Sequence, residues 1–208
     1  MLRTMRLPLR FFVASVSMGI LGCTTTTLEG SQGWLVGVAR PLPPTLPPAH
    51  VNYPQADPLP LAIQLTLNDA LLNTTQEFRA YDSHVTLQIG RSVAESSRSL
   101  ASAVFQSVRE AKGDLPLTSG VDAVLTPRVA NIRFEMGMWA WQKCRIEIAL
   151  EWSLIDLAGR VIWADTFVGR GEGACGSRFT YLEDAKEIAR IAIEEVMTAS
   201  YRDMVATR

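Results

Sequence analysis

Apolar and polar positions alternate in five stretches of the chain, and this spacing predicts five β-strands. Successive side chains of a strand point to opposite faces, so alternation is typical of a sheet with one buried face. The clearest case is residues 144–155, where one face carries Ile146, Ile148, Leu150, Trp152 and Leu154. The other stretches are residues 61–67, 85–89, 121–136 (with an expected irregularity near Pro127) and 161–171.

Apolar residues at intervals of three and four predict two amphipathic helices. The first helix is expected from about residue 93 to residue 112, after a candidate capping box at Ser92 and Glu95. The second is expected to begin at a similar box, Thr180 and Glu183, and to run to about residue 204. Residues 69–80 fit either a short helix or an irregular crossing.

The order of these elements is strand, strand, helix, strand, strand, strand, helix. It predicts an α+β fold of two layers, with a mostly antiparallel sheet of about five strands and two helices packed on one face. Residues 61–208 would form this single domain.

The first 23 residues have the order of a bacterial export signal. Three arginines precede an uncharged apolar run, residues 11–21, which is too short to span a bilayer permanently. The run ends in Ile20-Leu21-Gly22-Cys23, which resembles a lipobox. We therefore expect a signal peptide at residues 1–22, cleavage before Cys23, and diacylglycerol plus an acyl chain (such as palmitate) on Cys23. The alternative is an ordinary signal peptide with an incidental cysteine.

The residue after the cysteine bears on the membrane that would hold the anchor. Thr24 is not the acidic residue that, by resemblance to enterobacterial lipoproteins, retains a lipoprotein in the inner membrane. The expected location is therefore the periplasmic face of the outer membrane.

Residues 23–60 are predicted to tether the domain. Eight of the eleven prolines lie between residues 41 and 60, and proline fixes φ and removes a backbone donor. We favour an extended spacer that lifts the domain off the membrane. The alternative is an ordered arm that lies across the domain.

Two cysteines remain after Cys23, and they are expected to form a structural disulfide. The turn at residues 156–159 pairs residues whose numbers sum to about 317, which places Cys144 two residues from the partner of Cys175. Disulfides need Cα atoms within about 7 Å, and the periplasm is oxidising. A redox pair or a metal site is the alternative, but the chain has no CxxC motif.

Composition and candidate chemistry narrow the function further. The full chain carries a net charge of −1, and loss of three arginines with residues 1–22 leaves about −4, which argues against nucleic acid. His50 and His84 suggest no catalytic triad. Asp165 is expected on the apolar side opposite Trp152, as a partnered structural acid unless a bulge shifts the pattern; a catalytic role is the remaining alternative. The glycines of residues 169–173 are expected at a flexible strand end. We therefore expect no enzyme, no metal and no cofactor.

The connection at residues 136–143 is unusually apolar for a loop. Its side chains could contact a partner or a membrane, or could fold back to cap the core. The candidate partner-binding residues are Met136, Met138, Trp139 and Trp141.

Several segments resemble small Gram-negative envelope lipoproteins of the YajG type. They are the lipobox, residues 85–91 before a helix, residues 121–125 running into a strand, and the hairpin of residues 154–163 with Asp156, Gly159 and Trp163. The hairpin also resembles auxiliary lipoproteins of lipid transporters, the lipopolysaccharide-assembly lipoprotein and the curli-pore lipoprotein family. The resemblance implies a non-enzymatic accessory subunit of an envelope transport or assembly complex. The alternative is a carrier of a lipid or small apolar ligand between sheet and helices.

Overall fold

The computed structural model describes residues 46–47, 49, 51–54, 56–80, 83–112, 119–135, 143–175 and 180–207. Its elements in chain order are β1 (Leu59–Leu67), α1 (Asp69–Leu72), β2 (Thr75–Ala80), β3 (Ser83–Gln88), α2 (Ile89–Val104), β4 (Phe105–Lys112), β5 (Ala123–Glu135), β6 (Lys143–Asp156), β7 (Val161–Ala174) and α3 (Tyr181–Ala206).

Five strands form a mixed sheet in the order β4-β1-β5-β6-β7. Strand β1 runs parallel to both β4 and β5, whereas β5, β6 and β7 are successively antiparallel. The α+β class is confirmed, but the prediction of a mostly antiparallel sheet is wrong. The reason is that β1 and β4 are joined through α2, and such a crossover returns the chain in the same direction.

The helix predicted at residues 93–112 is helical only in its first part, and residues 105–112 form a strand. Helix α2 ends at Val104, and the next residue begins β4, whose Val108 lies opposite Ile63 of β1. The helix also begins earlier than predicted, at Ile89. Ser92 therefore lies inside it and caps nothing; its hydroxyl donates to the carbonyl of Pro47 (3.2 Å).

The predicted strand at residues 85–89 is real but belongs to a second, two-stranded sheet. Strand β3 pairs antiparallel with β2, which lies within the stretch that the sequence left ambiguous. Phe78 of β2 stacks on Phe134 of β5, with ring centroids 4.1 Å apart. This hairpin therefore packs beside the end of the main sheet without extending it.

The β6–β7 hairpin follows the predicted register except next to its turn, where Val161 pairs with Ile155 instead of Asp156. Cys144 pairs with Gly173 and Trp152 with Asp165, and both sums are 317. A bulge between Val129 and Asn131 shifts the alternation of β5 by one residue. The buried face of β5 therefore carries Val129 before the bulge and Ile132 after it, and Ile132 pairs with Ile148 of β6. The apolar face of β6 is confirmed: all five of its predicted members are buried.

Helix α3 lies directly on the glycines of β7. A Cβ atom at Gly171 would stand 1.8 Å from the carbonyl oxygen of Ile188, and one at Gly169 would stand 2.0 Å from that of Ala192. These glycines are therefore not a flexible strand end. They remove the side-chain layer so that helix and strand backbones can touch.

The helices share one face of the sheet. Helix α2 packs against β1, β4 and β5, α3 packs against β6 and β7, and the two helices contact each other. The second predicted helix is confirmed, although the Thr180 side chain caps no backbone N–H.

The described part of the proline-rich segment lies across these helices. Leu46 and Ala49 are buried, and the ring of Tyr53 packs at a tilt against that of Tyr201, with centroids 4.9 Å apart. The Tyr201 hydroxyl donates to the carbonyl of Pro54 (2.6 Å). Packing against the domain thus starts before residue 61, the predicted beginning of the domain.

Candidate partner-binding surface

The face of β5, β6 and β7 that points away from the helices forms the candidate surface, and we call it the open face. Paired residues of neighbouring strands share a face, so the pairing of Arg128 with Glu151 and of Glu151 with Thr166 places all three there. By the same alternation, Val168, Arg170 and Glu172 of β7 also lie on the open face.

One end of the open face is a lattice of ion pairs. Glu172 of β7 binds both Lys143 (2.7 Å) and Arg145 (2.9 Å). Beside them, Arg170 binds Glu147 (3.0 Å). Hydrogen bonds from Lys143, and then from Arg145, lower the pKa of the Glu172 carboxyl to about 2. At neutral pH the Glu172 carboxylate is therefore ionised, and two cations within the sheet bind it.

The other end of the open face is apolar. Val161 pairs with Ile155 where the β6–β7 register shifts, which leaves Ile162 as the extra residue of a bulge. The large apolar side chains that are exposed in the described part of the chain are Val161 (62%), Leu157 (56%), Ile162 (52%) and Val168 (38%). All four lie on β7 or on the turn that leads into it.

A shallow depression of about 470 Å³ lies between the two ends. Its lining includes Thr126, Arg128, Glu151, Ser153 and Thr166. Hydroxyl groups and one ion pair therefore surround it, and the guanidinium of Arg128 donates to Glu151 (2.9 Å). The open face thus offers aliphatic contact at one end, charge at the other and hydroxyls between them.

The layer between sheet and helices is filled by side chains. Trp152 is almost completely buried, and its Nε1 donates to the hydroxyl of Ser200 (2.9 Å) on α3. Ile148 and Leu150 beside it are fully buried. A ligand carried in this layer would have to displace these side chains.

The cysteine pair is found where the sequence placed it. Cys144 and Cys175 form a disulfide, with Cα atoms 5.5 Å apart. The bond ties the beginning of β6 to the end of β7, beside the ion pairs of Glu172.

The predicted partner-binding residues Met136, Met138, Trp139 and Trp141 lie outside the described residues, as does the lipidation site Cys23. The flanking strands are described: Glu135 at the end of β5 lies opposite Arg145 of β6. The loop therefore joins two strands at the charged end of the open face.

The remaining candidates give no reactive cluster among the residues described. Asp165 lies opposite Trp152 as predicted, but it is exposed, and its carboxylate accepts the N–H of Thr166 (2.6 Å). His84 is exposed on β3, and His50 falls outside the described residues. No group of three or more potential metal ligands occurs in the ranges that the structure covers. Sequence reasoning missed the outer edge of β7, which has no neighbour among the strands described; the available signal was the pair of β-branched residues at 161–162 directly after a turn.

Within the described ranges, none of the helices combines the length and the apolar character needed to cross a bilayer.

Comparison with known proteins identifies the fold. No family model matches the chain, and no curated protein matches it either. Among solved structures, a Xanthomonas campestris protein of family DUF330 is 13% identical, with a TM-score of 0.52 over 78% of this chain and 94% of its own. Lipoprotein B of Nitrosomonas europaea is 9% identical, with a TM-score of 0.46 over 76% of this chain and 92% of its own. A minor lipoprotein of Acinetobacter baumannii is 12% identical, with a TM-score of 0.43 over 73% of this chain and 96% of its own. The chain therefore shares the fold of the Xanthomonas DUF330 protein.

Proposed function

We propose that this chain is an outer-membrane lipoprotein that acts as a non-enzymatic accessory subunit of an envelope transport or assembly complex. The observation that carries the proposal is the order of its first 23 residues: a basic segment, an apolar run without charge, and Cys23 directly after Ile20-Leu21-Gly22. Lipid on Cys23 would hold the domain at a membrane surface.

The domain supports a role in protein contact. Of the described residues, the first ones that pack on the domain are Leu46 and Pro47, beside Ser92 near the beginning of α2. The exposed aliphatic residues of the β6–β7 turn lie at the other end of the sheet. A tether at one end and an apolar surface at the other suit a module that is anchored at one point and binds a partner elsewhere.

Lipidation is tested by metabolic labelling with palmitate. We expect the wild-type protein to incorporate label and to sediment with outer-membrane fractions. Cys23→Ala should abolish the label and release the protein into the periplasmic fraction. Thr24→Asp should move the labelled protein to the inner membrane if the enterobacterial sorting rule applies, with Thr24→Ser as the matched control. Label on the Cys23→Ala protein would refute the anchor.

The accessory role is tested by crosslinking and affinity purification of the lipidated protein from native membranes. We expect one set of envelope proteins to return in fixed stoichiometry. Recovery of the chain alone would contradict the proposal, and a bound lipid seen by native mass spectrometry would favour the carrier alternative.

The contact of the 136–143 loop with a partner is tested in the same assay. Replacing Trp139 and Trp141 by alanine should weaken recovery of the partner if their side chains bind it. If recovery of the partner and the Tm are both unchanged, the two tryptophan side chains do not contribute to the interface.

A further inference from the structure

Strand β7 is the last strand of the main sheet, and its outer edge has no neighbour among the strands described. Two contacts show which of its backbone groups point outwards. The N–H of Thr166 donates to the Asp165 carboxylate, and the N–H of Arg170 donates to Glu195 of α3. Because backbone groups alternate along a strand, the N–H and C=O groups of Ala164 and Val168 point to the same outer edge.

The edge differs along its length. At Arg170, the carboxylate of Glu195 covers the edge, and α3 packs closely over Gly169 and Gly171. Before residue 169, the edge carries Val161, Ile162 and Val168 as exposed side chains. A long strand edge with exposed β-branched residues is a template for pairing with another strand.

Three carboxylates lie beside this edge. Asp165 and Glu195 accept from outward N–H groups, and Asp203 of α3 accepts from the Trp163 indole (3.1 Å). The nearby Arg170 side chain is directed to Glu147 on the open face. An arriving segment with lysine or arginine would therefore meet Asp165 and Asp203 beside residues 161–168, with Glu195 just beyond them.

We propose that residues 161–168 of β7 accept an extended segment of the partner protein as an added strand, with aliphatic residues over the open face and a lysine or arginine beside Asp165 and Asp203. This inference rests on the proposed function, because it names the surface by which an accessory subunit would hold its partner. Main-chain hydrogen bonds would supply affinity, and the alternating side chains would supply selectivity.

Asp165 gives this surface a preference between partners. The N–H of Thr166 donates to the Asp165 carboxylate. A carbonyl group of an added strand would have to replace this carboxylate as the acceptor. A basic residue on the partner draws the carboxylate away from the edge, whereas an apolar segment without positive charge leaves it in place. The edge would thus reject general strand aggregation and admit a basic segment.

Position-specific photocrosslinking tests the surface in native membranes. A photoreactive phenylalanine analogue is placed at Ile162 or Val168 of the full lipidated chain, and at Gln106 of β4 as a control on the opposite edge of the sheet. We expect the two β7 positions to crosslink to one protein, and the crosslinked peptide to alternate aliphatic residues and to contain a lysine or arginine. The Gln106 position should give no such adduct.

Matched substitutions test the contact independently. Val168→Lys places a positive charge on the open face at the β7 edge, and Gln106→Lys places the same charge at an exposed position of the opposite edge strand, β4. We expect Val168→Lys to lower partner recovery at least tenfold, Asp165→Asn to make recovery less sensitive to salt, and Gln106→Lys to leave recovery unchanged. Equal Tm values would exclude misfolding as the cause.

The outcomes separate this inference from the proposed function. If the wild-type protein recovers a partner and Val168→Lys recovers it equally, the β7 surface is wrong while the accessory role stands. If the wild-type protein recovers nothing, the accessory role itself fails. Crosslinks from β7 to a second copy of this chain would show a homo-oligomeric edge and would overturn the proposal of a different partner.

Discussion

Replacing Gly171 by alanine should destabilise the domain far more than the same change two residues further along β7. The new Cβ at Gly171 would lie 1.8 Å from the carbonyl oxygen of Ile188, about 1.6 Å short of the 3.4 Å of ordinary contact. The obstacle is helix backbone, which no side-chain rotation can move. At Gly173 the nearest atom is the Ile188 Cγ1 at 3.0 Å, which a small rotation relieves.

The cost follows from the rigidity of the layer. Overpacking a core costs roughly 1–3 kcal/mol, occasionally more, and Gly171→Ala should fall at about 3 kcal/mol or above because α3 must shift as a unit. A domain of this size loses about 2–4 °C of Tm per kcal/mol. We therefore expect Tm to fall by roughly 6–12 °C, and Gly173→Ala to change it by only a few degrees.

The assay is thermal unfolding followed by far-UV circular dichroism on the oxidised protein, with urea titration as a second measure. Gly159→Ala gives a further comparison. It has open space around its Cβ but a φ of +80°, so its cost is backbone strain alone. If Gly171→Ala proves as stable as Gly173→Ala, the close contact between α3 and β7 is wrong.

Three further predictions concern the core, the charges and the disulfide. Ser200→Ala should cost about 1–3 kcal/mol in urea unfolding, because the buried indole N–H of Trp152 loses its acceptor. Glu172→Gln should lower Tm at pH 7. The Glu172 pKa is depressed to about 2, so its stabilisation is present above about pH 4.5 and is lost as pH falls towards 2; the Tm difference from wild type should vanish near pH 2. Reduction of the Cys144–Cys175 bond should cost about 3–4 kcal/mol, measured by urea unfolding with and without reductant.

Each of these predictions has a matched control. Ser153→Ala alters a serine on the open face and should leave stability nearly unchanged. Glu183→Gln removes an exposed carboxylate that contacts only Lys186 within α3 among the ion pairs described, so its Tm effect should be smaller than that of Glu172→Gln. The double variant Cys144→Ser/Cys175→Ser should be insensitive to reductant. A Tm difference for Glu172→Gln that persists at pH 2 would show that the carboxylate acts through packing instead of charge.

The sequence by itself determined the β6–β7 hairpin, its register up to the bulge at Ile162, the buried face of β6, the disulfide and α3. These features depend on residues that are near in sequence. Strict alternation from Ile146 to Leu154 fixes which face is buried, and a short turn fixes which residues pair. Once the register is set, the distance between Cys144 and Cys175 follows from it.

The tertiary structure decided the elements whose partners are distant in sequence. In residues 105–112 the more buried positions are Phe105, Val108 and Ala111, a spacing of three that a helix fits better than a strand. Only pairing with β1, more than 40 residues earlier, makes this segment a strand. The glycines of β7 are a second case. In the sequence they indicate flexibility, whereas in the structure they allow the backbone of α3 to lie directly against β7. The local spacing of apolar residues shows which geometries a segment can adopt. Where both helix and strand are compatible with that spacing, the element that the segment packs against determines which one forms.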